Sequence, residues 1–275
     1  MAKAEDLPLE LQDEIFGLVA SSDLHSVPNL ALVDKRVNDR LLSDFYSTVE
    51  VTSWAQSSKF IKYSRPKVTT LAILSIRAHR LAWKIPEICP NIRKLALYEI
   101  PPSTDEAFWD SFSKLQLQVF SIRFAYHFGM AMDPNNGGQP PILESLTHLN
   151  CERITPWGHT EIACNISPSS FPNLTHVMLS TENIYDIAPE DDIELTLAVG
   201  TWLKLPGLKS LIIRFSRDTD MNQYRSSALG AAQIADPRVV CLRQIPYRCP
   251  LSGKAHFEFL NRMWALGEEE HSRNV

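Results

Sequence analysis

From residue 66 onward an apolar pattern recurs: an apolar residue, two others, an apolar residue, one other, and usually a third apolar residue. It appears as Val68-Leu71-Ile73, Ile92-Leu95-Leu97, Leu117-Phe120-Ile122, Leu146-Leu149-Cys151, Leu174-Val177-Leu179 and Leu208-Leu211-Ile213. A weaker copy is Val239-Leu242, where Gln244 breaks the third place. Alternation in the second half of each copy predicts a short strand. Three copies share a lead-in with proline, which sets a turn: Cys89-Pro90-Asn91-Ile92, Phe171-Pro172-Asn173-Leu174 and Leu205-Pro206-Gly207-Leu208. One such strand cannot bury its apolar edge alone, but stacked copies bury a continuous core.

Helical patterns fill the intervals. Residues 105–112 read as a helix with an acidic first turn, and Asp192 to Leu205 carries Leu195, Val199 and Trp202 on one face. Ser226 to Ala235 is a small-residue helix stopped by Asp236-Pro237, and residues 53–63 link to the first strand. A last helix from Ser252 to about Leu266 places Phe257, Leu260, Met263 and Trp264 in a stripe. It is expected to close the open end of the strand stack. The acidic run Glu268-Glu269-Glu270 is expected to be a solvated tail.

The first fifty residues have a different period. Proline early in a helix loses no hydrogen bond, so Asp6-Leu7-Pro8-Leu9-Glu10-Leu11 is a helix start. Leu11, Ile15, Leu18 and Val19 then form an apolar stripe, with Phe16 beside it as a second contact suited to a partner. Ser21-Ser22-Asp23 caps a second helix with Leu24, and Val33, Val37 and Leu41 mark a third. Three helices in so few residues leave little core, so the module must lean on something.

This stretch resembles the F-box motif in Leu7, Pro8, Glu10, Leu11, Ile15, Phe16, Asp23, Leu24, Val33, Lys35 and Arg36, taken in order. Many members carry a tryptophan after Lys-Arg; Val37 stands here. The resemblance implies docking to the Skp-family adaptor of SCF ubiquitin ligases, and through it to cullin. It assigns adaptor binding to Leu7, Pro8, Leu11, Ile15, Phe16, Leu24, Val33 and Arg36. The fold class expected is α/β: an N-terminal three-helix F-box over residues 5–48, an irregular leucine-rich-repeat-like solenoid with parallel strands over 49–267, and the acidic tail 268–275. The layout is similar to fungal F-box proteins with degenerate leucine-rich repeats.

Composition excludes several function classes. The net charge is -5, with Lys and Arg scattered, so no basic field for nucleic acid or anionic lipid is expected. No window approaches a membrane span, no signal peptide is read, and the odd count of 5 cysteines points to reduced thiols in cytoplasm or nucleus. No phosphate-binding glycine loop or nucleophile elbow occurs. His148 and His176 lie in strands and by alternation point away from the core, a pair of solvated histidines rather than a metal site. The reading is a non-catalytic adaptor with no cofactor and no metal, binding an unknown target protein. The alternatives are a repeat scaffold outside the ligase system and a doubly wound α/β enzyme.

Overall fold

The computed structural model describes residues 8–22, 47–61, 67–74, 83–99, 106–124, 143–154, 170–181, 196–197, 199–215, 235–243 and 253–274. The chain divides into two compact units, residues 1–49 and 50–275. In the first, helix α1 spans Leu9–Ser22. Leu7, Leu24, Val33 and Arg36, and the two further helices expected there, lie outside the described residues.

The second unit is built on one sheet. Strands β1 (Thr48–Val51, across the unit boundary), β2 (Thr70–Ile73), β3 (Lys94–Glu99), β4 (Val119–Phe124), β5 (His148–Ile154), β6 (His176–Thr181), β7 (Ser210–Phe215) and β8 (Val239–Arg243) lie side by side in chain order. Neighbours from β2 to β8 pair in parallel. The order never reverses. A doubly wound sheet reverses once and makes its ligand crevice there, so the topology differs from that of the enzyme alternative.

Register explains the repeat. Leu71, Leu95, Phe120, Leu149, Val177, Leu211 and Val239 form one row across the sheet. Ile73, Leu97, Ile122, Cys151, Leu179, Ile213 and Cys241 form another on the same face. The leading residues Val68, Ile92, Leu117, Leu146, Leu174 and Leu208 are buried as well. The lead-in is a turn in which the fourth N–H donates to the first carbonyl: Ile92 to Cys89, Leu174 to Phe171 and Leu208 to Leu205, each at 3.2 Å. Proline at the second position fits such a turn because its φ is already set. The last copy is out of frame with the pattern expected from sequence. Val239 and Cys241, not Leu242 and Gln244, continue the two rows.

The return segments cover this face. Helices α2 (Trp54–Ile61), α3 (Ile85–Ile88) and α4 (Glu106–Ser113) fall between strands. Ile85 and Ile88 are buried, and Phe112 meets Phe120 edge-on at 5.6 Å. Residues 199–202 are helical and bury Val199 and Trp202, the latter 6.4 Å from Phe171.

Helix α5 (Gly253–Asn274) corrects two expectations. It does not cap the stack's end. Phe257, Leu260, Met263 and Trp264 form one apolar cluster with Ala72, Ala96, Val119, Met178 and Ile212. Those sheet residues alternate with the core rows, so α5 lies on the opposite face. Parallel strands are normally covered on both faces, and five strands here carry apolar residues in immediate succession (for example Leu211-Ile212-Ile213), which demands that cover. Residues 268–274 continue the helix, so the acidic run is a helical turn and not a free tail.

Candidate interaction surfaces

Helix α1 exposes its apolar stripe. Leu11 is 46%, Ile15 45%, Leu18 63% and Val19 37% exposed. Pro8 is exposed too, and its carbonyl accepts the Gln12 N–H at 3.1 Å, which starts the helix. Phe16, beside the stripe, is half-buried. Four large apolar side chains exposed along one helix face form an apolar patch. Of the eight residues assigned to adaptor binding, Leu11 and Ile15 on α1 and Pro8 just before it are thus exposed.

The second surface is the sheet face beneath α5. It arises from the alternate positions of each strand, which in β4 and β5 include the buried polar residues Ser121, Asn150 and Glu152. Asn150 is fully buried; its Nδ2 donates to Ser121 Oγ at 2.8 Å and to Glu152 Oε1 at 3.2 Å. His256 of α5 places Nε2 2.9 Å from the same Ser121 hydroxyl. Arg214, 4% exposed, holds its guanidinium 5.1 Å from the Phe259 ring centroid, a cation–π contact.

Two adjacent repeats carry Leu-Thr-His in the same place, at 146–148 and 174–176. Register pairs His148 with His176. Their rings stack at 4.4 Å with 2° between planes, and Trp264 meets His148 edge-on at 4.5 Å. The pair does share one surface, but α5 covers it. His176 is 6% exposed and His148 half-buried, so solvated histidines are not what forms. Each Nδ1 lies beside its preceding threonine hydroxyl, at 2.9 Å from Thr147 and 2.8 Å from Thr175. His176 Nε2 is 3.1 Å from Glu268 Oε1.

Charge state follows from these contacts. Burial, followed by the neighbouring His176 charge and opposed by Glu268, lowers the His148 pKa to about 4. His176 is lowered by burial, against the hydrogen bond and charge of Glu268. Both rings are therefore neutral near pH 7. A neutral His176 has one N–H, and Glu268 requires it on Nε2. Nδ1 must then accept from the Thr175 hydroxyl. The Thr147 carbonyl, 3.0 Å from that hydroxyl, still accepts the backbone N–H groups of Thr175 and His176.

Two cysteines lie along one core row of the sheet. Cys151 is fully buried in a core row, and burial raises its thiol pKa. Cys241 is half-buried at the end of that row. Among the described residues no group of three or more His, Cys, Asp and Glu side chains is placed to hold a metal ion. No described helix is long and apolar enough to cross a membrane. What both surfaces offer is packing and hydrogen bonding to another element. The fold thus defines an α/β protein with one parallel sheet in chain order. No family model matches the chain, and neither the curated proteins nor the solved structures contain a match.

Proposed function

We propose that this protein is a substrate-recognition adaptor of an SCF-type ubiquitin ligase. Residues 5–48 act as an F-box that docks to a Skp-family adaptor and through it to cullin. The sheet unit acts as a solenoid of leucine-rich-repeat type that presents a target protein. The observation that carries this reading is the exposed stripe of α1, because Leu11 and Ile15 belong both to the motif and to the open face. The chain performs no chemistry in this reading. It raises the local concentration of a target at the ligase's ubiquitin-carrying subunit.

The energetics fit a docking helix. Burying one Leu or Ile side chain contributes about 1.5–3 kcal/mol, so two anchors plus the flanking Leu18 and Val19 supply a substantial part of a specific interface. The test is co-purification of the full chain with a Skp-family adaptor. Wild type is expected to retain it, and Ile15→Asp and Leu11→Asp are expected to weaken retention at least a hundredfold while leaving the circular dichroism unchanged. Absence of capture by wild type, alongside a positive control F-box protein, would overturn the reading.

A further inference from the structure

We draw no further inference here: the strongest candidate, the side-chain cluster beneath α5 in which His256 Nε2 lies 2.9 Å from the Ser121 hydroxyl beside Asn150 and Glu152, is sealed within the chain's own core, and nothing among the described residues opens it to a substrate or ligand.

Discussion

The two faces of the sheet use the same strands differently. One face is apolar at every row from β2 to β7, and its described cover arrives piecemeal, from short segments between strands that bring in Ile85, Phe112, Phe171 and Trp202. Along its central row the other is apolar at β2, β3, β6, β7 and β8 (Ala72, Ala96, Met178, Ile212 and Val240) and polar at β4 and β5 (Ser121 and Asn150), and α5, late in the chain, packs across it. The first kind of packing is built by neighbours in sequence, so loop closure for each contact is short. The second needs residues 135 apart in sequence, His256 and Ser121, to meet. The face made from local contacts should hold the fold, and the face made from one distant helix should be the one that opens.

The most severe way to break that contrast is to truncate each face in turn. Phe120→Ala empties a fully buried site against Phe112 and is expected to destabilise the whole chain by about 3–5 kcal/mol. Urea unfolding should show one transition moved to lower denaturant. Leu260→Ala removes a side chain equally buried under α5 and is expected to lose about 2–4 kcal/mol. That loss should appear first as faster amide exchange within α5, with β3 to β7 still protected. Equal acceleration everywhere would erase the distinction between the faces.

Smaller effects probe the polar part of the seam. Asn150→Ala removes a donor shared by Ser121 and Glu152 in a fully buried site. The expected loss is about 1–3 kcal/mol, and it should exceed that of Ser145→Ala, whose hydroxyl donates at 2.8 Å to the Leu117 carbonyl in a partly buried turn. Thermal melts of both variants at pH 7 check the ranking.

Much of the first face could be read from the chain beforehand, and little of the second. The row of Leu71 to Leu211 is written in a repeated spacing, and the proline turns mark where each strand begins. The seventh copy falls out of frame because Asp236 stands where register counts an apolar residue, so the spacing starts the pattern at Val239. For α5, the stripe Phe257-Leu260-Trp264 showed an apolar face but not what it would meet. The informative signal lay in the strands. Runs such as Leu95-Ala96-Leu97 and Val177-Met178-Leu179 have no polar side, and a sheet with two apolar faces needs two covers. Likewise the doubled Leu-Thr-His predicts that His148 and His176 are neighbours. Only the helix laid over them shows that they are dry. In α1 the same stripe would serve equally well inward or outward, and periodicity cannot choose between them.

Acid should act on the covered face through its two histidines. The folded-state pKa of His148 is about 4 and that of His176 is lowered, against about 6.5 unfolded. Between those values the unfolded chain binds more protons, so stability rises with pH. The contribution is complete above about pH 6.5 and is lost as pH falls through about 4. Allowing for the partial exposure of His148, the loss is about 1–2 kcal/mol. The comparison is with His148→Gln, so that contributions from the rest of the chain cancel. Wild type should lose more stability than this variant between pH 7 and pH 4.5, and the extra loss should appear in α5 exchange before it reaches the sheet.

The smallest effect sharpens the contrast most narrowly. Gly267→Ala has two opposed consequences. A helix-interior glycine replaced by alanine gains about 1 kcal/mol of helix stability. The new Cβ, however, would lie 2.6 Å from Ile212 Cδ1, a contact that forces that side chain or the helix to shift. Ile212 is fully buried among apolar neighbours, so its room to move is slight, and overpacking of this kind opposes folding by about 1–3 kcal/mol. The net expectation is a loss of about 1 kcal/mol. Adding Ile212→Val deletes the Cδ1 methyl but leaves Cγ1, 2.9 Å from the new Cβ, so the double variant should recover part of the loss. A positive coupling between the two sites in a thermal-melt cycle would place Gly267 directly on β7; strict additivity would mean that α5 already stands away from the sheet in solution.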